Sequence, residues 1–115
     1  MFKIIDKRGK GKTMRGLLLA KETDSIFVSS CVDYVADMCH RLGIGGIDIV
    51  SYARFLNNKG EFRGKSVFID DVDSFLRHVV NANGEHLVGF SMTEEDEYSV
   101  SQCQTFHHGI GWCRV

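Results

Sequence analysis

The sequence predicts an α/β domain in which a mostly parallel sheet lies between two layers of helices. Short apolar runs rich in β-branched and aromatic residues alternate with helical segments, an order typical of βαβ units with right-handed crossovers. The 115 residues match the length of one domain. Hydrophobic residues make up 43% and charged residues 25%, as in folded proteins. We therefore expect one domain over residues 1–115, with 98–115 as a C-terminal extension.

Five short apolar runs are the strand candidates. Each has the length and side-chain content of a strand and is too short for a helix. We expect all five to join one mostly parallel, five-stranded sheet. In chain order they are Phe2–Ile5, Ser25–Ser29, Ile47–Val50, Ser66–Ile69 and His86–Phe90.

Helical spacing of apolar residues marks the segments between these strands. Thr13–Ala20 has helical character after the first strand. In Cys31–Leu42 and in Asp71–Ala82, apolar side chains recur at intervals of three and four, which places them on one face of a helix. Gly43 is the expected C-cap of the first of these two helices. Tyr52–Leu56 is predicted as a helical turn or two.

Charge is balanced overall but unevenly distributed. Lys plus Arg is 14 and Asp plus Glu is 15, so the net charge of -1 argues against a bulk attraction to nucleic acid or membranes. Basic residues crowd the first 15 positions, whereas Glu94–Glu97 is an acidic run. The N-terminal region is therefore predicted to attract an anion, with DNA binding through this basic face as an alternative.

Hydropathy and cysteine content bear on the compartment. No apolar run approaches the roughly 18 residues of a membrane helix, and no signal-peptide core follows the N-terminal basic residues, so we expect a cytoplasmic protein with reduced thiols.

One segment holds metal-capable side chains with the spacing C-x3-H-H-x4-C. Because common zinc sites have C-x2-C or H-x3-H spacing, a loop or hairpin is expected there rather than structural zinc. Its members are Cys103, His107, His108 and Cys113.

The stretch DKRGKGKT, Asp6–Thr13, lies between the first strand and the first helix. A phosphate-binding P-loop has the pattern G-x-x-x-x-G-K-[ST], in which backbone N–H groups surround a phosphate, Lys reaches its oxygens and the hydroxyl binds Mg²⁺. Gly11, Lys12 and Thr13 supply the end of this pattern. Gly9 and Lys10 lie within the loop and complete the predicted nucleotide-binding set. A basic, flexible turn is the alternative interpretation.

Asp6 occupies the position of the first glycine in that pattern. A carboxylate there is unfavourable beside a polyphosphate unless it faces away or a neighbour such as Lys7 or Arg8 neutralises it.

The run VFIDD, Val67–Asp71, is an apolar strand that ends in two carboxylates. A Walker B strand places an Asp at this position to hold Mg²⁺, and a following acidic residue can activate the attacking water. Asp70 is the candidate for the metal and Asp71 for the catalytic base. Capping of the following helix is the alternative for Asp71 and the preferred interpretation for Asp73.

The fifth strand candidate is followed by Ser91 and Thr93, which are possible sensors of the γ-phosphate. In this order of elements the chain resembles the P-loop NTPases of the RecA-like and AAA+ group. More narrowly, with IFVSS, HRLGI, VSYARFLN and FRGKSVFIDDVDSFL, residues 2–94 are similar to small ATP-binding proteins of tailed bacteriophages. The resemblance implies strand order 5-1-4-3-2 and ATP with Mg²⁺ as ligands.

Two functions follow from this resemblance. The first is a P-loop protein that binds ATP-Mg²⁺, hydrolyses it slowly if at all, and serves phage DNA metabolism or packaging in the host cytoplasm. The second is a non-enzymatic interaction or inhibitor protein on a degenerate P-loop scaffold that targets a host protein. Asp6 and the short chain motivate the second.

Overall fold

A computed structural model describes residues 1–93 and 113–114 of the chain. The predicted extension at 98–115 lies outside these residues except for its last strand, and so do Cys103, His107 and His108. The elements in chain order are β1 Phe2–Lys3, α1 Lys12–Thr23, β2 Ile26–Ser29, α2 Val32–Leu42, β3 Ile49–Ser51, α3 Tyr52–Asn57, a 3-10 turn Lys59–Phe62, β4 Val67–Ile69, α4 Val72–Asn81 and β5 Cys113–Arg114.

The main sheet has three parallel strands in the order β3-β2-β4. Phe27 of β2 is in register with Ile49 of β3 on one side and with Phe68 of β4 on the other. All four residues of β2 are buried, whereas β3 and β4 are partly exposed. Continuous burial is expected of a central parallel strand that is covered on both faces.

Helices cover both faces of this sheet because the side chains of β2 alternate. Phe27 packs with Leu17 of α1 and Val35 of α2 on one face. Ile26 and Val28 point to the other face. There they join a second cluster formed with Val50, Tyr52 and Phe62, against which Phe55, Ile69 and Phe75 pack. The result is an α/β arrangement with two apolar layers, one on each side of the strands.

The predicted five-stranded sheet in the order 5-1-4-3-2 is wrong. β1 pairs in antiparallel fashion with β5, with Phe2 opposite Arg114 and Lys3 opposite Cys113, in a separate two-stranded sheet. The second strand candidate, which the predicted order placed at an edge, takes the central position. The sheet could not be ordered from the runs alone, because several are equally apolar and only their burial in the folded chain separates centre from edge.

The fifth strand candidate, His86–Phe90, forms no strand. Val88 is fully exposed and Phe90 is half exposed, so the run does not bury the apolar area that would stabilise a strand. Gly89 inside so short a run weakens it further, because glycine loses much backbone entropy and offers no side chain to pack.

The helix boundaries agree with the sequence to within a few residues. The predicted segment Thr13–Ala20 corresponds to the longer α1, and Asp71–Ala82 corresponds to α4. The predicted C-cap at Gly43 is confirmed: its φ is 68°, and its N–H bonds to the carbonyl oxygens of Cys39 and His40. A left-handed C-cap favours glycine because no Cβ then opposes that φ.

Gly16 lets α1 lie close to the sheet. A Cβ at this position would be 2.4 Å from the Phe68 ring and 3.2 Å from the Phe27 ring. The two rings stack with centroids 5.4 Å apart, so neither can move without disturbing the other. The close approach of α1 to the strands therefore depends on the absence of a Cβ at Gly16.

Gly16→Ala should destabilise the protein by about 1 to 2 kcal/mol in urea unfolding, because overpacking outweighs the helix propensity that alanine gains. Gly45→Ala is the matched control, since a Cβ there meets nothing within 4 Å. Its free energy of unfolding should stay within about 0.5 kcal/mol of the wild type. Equal stability of the two variants would contradict the close approach of α1.

Candidate phosphate and metal site

The phosphate loop, Asp6–Thr13, has two glycines with left-handed backbones. Gly9 has φ 80° and Gly11 has φ 75°. L side chains rarely adopt such values, so the curl of the loop requires glycine at these two positions. Gly11 is also the N-cap of α1, where no side chain caps the helix and no acidic residue lies in the first turn. The first N–H groups of α1 therefore remain available to an anion.

Lys12 lies at the first position of α1 and folds back over the loop. Its Nζ donates to the carbonyl oxygen of Lys7 at 2.9 Å. The ammonium group is thus held above the curled backbone by a carbonyl oxygen. A phosphate oxygen with its negative charge is a stronger acceptor for the same group.

Asp6 forms an ion pair that the sequence did not reveal. Its Oδ2 accepts from Arg15 Nη2 at 3.0 Å, and its Oδ1 accepts from the Lys7 backbone N–H at 2.8 Å. The Lys7 N–H, and after it the Arg15 guanidinium, lower the pKa of Asp6. The neutralising side chain is therefore Arg15, and not Lys7 or Arg8. Arg15 also donates to the carbonyl oxygens of Lys10 and Gly11, so this pair helps to close the loop.

The two motifs meet through one side-chain hydrogen bond. Thr13 Oγ1 donates to Asp70, at 3.1 Å from Oδ2 and 3.4 Å from Oδ1, although 57 residues separate them in sequence. Asp70 follows β4 and is 8% exposed. A hydroxyl and a carboxylate are hard oxygen ligands of the kind that Mg²⁺ prefers. These two side chains therefore fit a magnesium ion that also contacts phosphate oxygens.

Burial sets the proton affinity of Asp70. Desolvation, followed by the neighbouring charge of Asp71, raises the pKa of Asp70 to about 6. The Thr13 hydroxyl and the Lys12 charge oppose this rise. The carboxyl group therefore ionises at a higher pH than an ordinary Asp, in a position where a cation would favour its ionised form.

Asp71 has a left-handed backbone, with φ 55° and ψ 70°. It stands at the N-cap of α4, but its side chain makes no capping hydrogen bond. The helix-capping interpretation therefore does not account for this carboxylate, which is exposed. Asp73 lies in the first turn of α4, where the helix dipole interacts favourably with a negative charge.

A cleft of about 340 Å³ opens between the phosphate loop and α4. Its wall includes Tyr34 and Met38, which lie one turn apart on α2 and which the motifs did not indicate. A larger cavity of about 710 Å³ is lined mainly by apolar residues of β1, β4 and 87–92. Asp70 and Lys12 also line this larger cavity, at its boundary with the smaller cleft. The smaller cleft is the better candidate for a polar ligand because Arg8, Lys12 and the Thr13 hydroxyl line it. Besides the two residues of α2, its lining residues are Arg8, Gly9, Gly11, Lys12, Thr13, Met14, Asp71, Asp73 and Ser74.

The predicted sensor residues do not join this cleft through any described hydrogen bond. Ser91 and Thr93 are exposed and lie outside regular structure. The described bond of Thr93 is made by its carbonyl oxygen, which accepts from Lys3 Nζ at 2.7 Å. Their sensor role remains a prediction.

In the part of the chain that the structure describes, no three His, Cys, Asp or Glu side chains cluster as a metal site. Cys31 and Cys39 are free thiols there. Nor does any helix among these residues combine the length and hydropathy needed to cross a bilayer.

Comparison of the chain with family models, with curated proteins and with solved structures gave no match.

Asp70→Asn should stabilise the metal-free protein in a pH-dependent way. The pKa of Asp70 lies near 3.8 when unfolded and near 6 when folded, so the wild type loses stability as pH rises through this window. The variant, which cannot ionise, should match the wild type near pH 4 and exceed it by about 2 to 3 kcal/mol above pH 7 in urea unfolding.

Asp48→Asn is the matched control, because Asp48 is an exposed carboxylate that precedes β3, at the end of the parallel sheet opposite to Asp70. It should leave the stability difference between pH 4 and pH 7 within about 0.5 kcal/mol of the wild-type value. Identical pH dependence in Asp70→Asn and wild type would show that burial imposes no cost on Asp70.

Proposed function

We propose that this protein binds a nucleoside triphosphate together with Mg²⁺, with ATP as the expected nucleotide. The observation that carries the proposal is the contact between Thr13 and Asp70, made at the mouth of a loop curled by Gly9 and Gly11. Either motif alone occurs by chance in many proteins. Their meeting across 57 residues is not required by helix or strand formation.

The loop supplies what a triphosphate would need. The free N–H groups at the start of α1 point into the loop and carry the positive end of the helix dipole, worth about 0.3–1 kcal/mol for an anion. The Lys12 ammonium group, which lies against the Lys7 carbonyl oxygen of the loop, adds a full positive charge. Arg15 compensates the charge of Asp6, so that carboxylate does not repel phosphate as a free charge would.

Thr13 and Asp70 would hold the metal. Mg²⁺ is commonly bound by one or two protein oxygens, with phosphate oxygens and waters completing the octahedron, so a pair of ligands is sufficient. When bound, the ion would neutralise charge on the β- and γ-phosphates. The cation would offset the cost of burying the ionised Asp70 as a lone charge, and below about pH 6 its arrival would displace the Asp70 proton.

Asp71 is the group best placed to assist hydrolysis. In that step a water oxygen attacks the γ-phosphorus, the bond from phosphorus to the bridging oxygen breaks, and the water proton passes to an Asp71 oxygen. Asp is one methylene shorter than the glutamate usual at this position, so the reach towards the water is reduced. We therefore expect turnover to be slow relative to binding.

Protein binding without turnover is a second candidate function. It is favoured by the apolar surface that continues from the larger cavity, where Ile5, Val88, Phe90 and Met92 are half exposed or more. Exposed apolar patches commonly mark interaction surfaces. The two candidates differ in whether phosphate is released, and both allow a nucleotide as structural ligand.

Lys12→Ala should weaken ATP-Mg²⁺ binding by about 10- to 100-fold in isothermal titration calorimetry, because a charged hydrogen bond to phosphate is lost. Lys65→Ala is the control for net charge, since Lys65 precedes β4 at the end of the strand opposite to Asp70. It should bind as the wild type does. Wild-type protein that shows no Mg²⁺-dependent binding would refute the proposed function.

Asp71→Asn should abolish phosphate release while leaving the affinity for ATP-Mg²⁺ within about threefold of the wild type, because only the proton acceptor is lost. Asp48→Asn is the control and should retain release, since Asp48 is exposed and lies outside the residues that line the cleft. A wild type that binds ATP-Mg²⁺ but releases no phosphate in a malachite-green assay would leave the non-enzymatic candidate standing.

A further inference from the structure

A buried tyrosine hydroxyl contacts the backbone that carries both candidate carboxylates. Tyr52, the first residue of α3, is 4% exposed. Its hydroxyl donates to the Asp70 carbonyl oxygen at 2.6 Å and lies 3.3 Å from the Asp71 carbonyl oxygen. One hydroxyl proton serves one strong bond at a time, so the shorter contact to Asp70 is the principal one.

The position of the Tyr52 ring is fixed by its own helix, α3, and by α4. Ser51 caps α3 by accepting from the Arg54 N–H at 3.0 Å, which sets the start of the helix on which Tyr52 lies. The ring packs edge to face with Phe75, at 5.2 Å between centroids, and with His78, at 5.7 Å, both on α4. The hydroxyl is therefore held in place by the core, independently of any ligand.

The Asp70 backbone is held from two directions. Its N–H donates to the Val28 carbonyl oxygen of β2 at 2.9 Å, and its own carbonyl oxygen accepts from Tyr52. The Asp71 carbonyl oxygen accepts from the Phe75 N–H of α4 at 3.0 Å. The left-handed residue Asp71 thus lies between one peptide group anchored to the sheet and to Tyr52 and another anchored to α4.

We propose that Tyr52 is a positioning residue, whose hydroxyl holds the Asp70–Asp71 turn so that the Asp70 carboxylate stays against Thr13 and Asp71 faces the cleft. The inference rests on the proposed function, since it assigns Tyr52 to the metal side of that site. Left-handed backbone at a residue other than glycine is unfavourable and persists only where surrounding bonds hold it.

The hydroxyl is suited to this role over the whole physiological range of pH. Burial raises the pKa of Tyr52 to about 12. A hydrogen bond with Ser30 opposes this rise, and the charges of Asp71, Asp70 and Asp73 add to it. The imidazole of His78 also faces the ring. The group therefore remains a neutral donor to the Asp70 carbonyl.

The test compares Tyr52→Phe with Thr23→Val. Both remove a hydroxyl that donates to a backbone carbonyl oxygen, but the Thr23 bond, to Leu19 at 2.8 Å, lies at the opposite end of α1 from the phosphate loop. Each variant is titrated with ATP in the presence of Mg²⁺ and in the presence of EDTA. Urea unfolding confirms that each is folded.

Tyr52→Phe should reduce the gain in affinity that Mg²⁺ gives by about three- to tenfold, the value of one hydrogen bond, while binding in EDTA stays unchanged. Thr23→Val should keep the full gain. An unchanged gain in Tyr52→Phe, or an equal loss in both variants, would overturn the positioning role and leave Tyr52 as a packing residue.

A second readout needs no nucleotide. In the free protein, amide hydrogen exchange at Asp70, whose N–H bonds to the Val28 carbonyl oxygen, should be about three- to tenfold faster in Tyr52→Phe and unchanged in Thr23→Val. Faster exchange in Tyr52→Phe, together with a wild type that binds no ATP, would refute the proposed function and support the positioning role. Unchanged exchange in Tyr52→Phe would refute the positioning role alone.

Discussion

Complete burial of β2 is the constraint on which the other elements depend. Each residue of this strand is covered, so its two edges must be paired and its two faces must be packed. Pairing brings β3 and β4 alongside, and packing brings α1 and α2 to one face and α3 and α4 to the other. The Val28 carbonyl oxygen also accepts from the Asp70 N–H. The central strand therefore anchors the first residue of the Asp70–Asp71 turn, which we call the acidic turn.

Two unfavourable features are concentrated just beyond the end of β4. Asp70 carries a carboxyl group into a nearly closed environment, and Asp71 adopts a backbone that few non-glycine residues tolerate. Neither feature improves the packing of the core. Their neighbours, Thr13 on one side and Tyr52 on the other, supply hydrogen bonds that limit these costs. Unfavourable burial and backbone conformations often occur together where a protein binds a ligand.

The sequence predicted elements better than it predicted their arrangement. Strong periodicity made α2 and α4 readable, and the glycines and lysine of the phosphate loop marked where a helix N-terminus would be open. The place of β2 in the sheet was not readable, because its apolar run does not differ in kind from that of β4. Burial distinguishes them, and burial is a property of the assembled chain.

Pairings between side chains were hidden for a similar reason. The ion pair of Asp6 with Arg15 depends on how the loop curls, and the bond from Tyr52 to Asp70 depends on where α3 packs. A basic residue one turn after Lys12 is a signal that could have suggested Arg15. Nothing in the local sequence distinguishes Tyr52 from a core aromatic residue, since its ring does pack in the core.

The separation of β1 from the main sheet has a mechanical consequence. Among the described residues, the strand before the phosphate loop shares no backbone ladder with the strand before the acidic turn. The two halves of the cleft therefore belong to different hydrogen-bonded bodies, which meet through α1, through apolar contacts such as that of Ile4 with Leu19, and through one hydroxyl on one carboxylate. A molecule that bridged both halves would therefore join two parts of the chain that no backbone ladder among these residues connects.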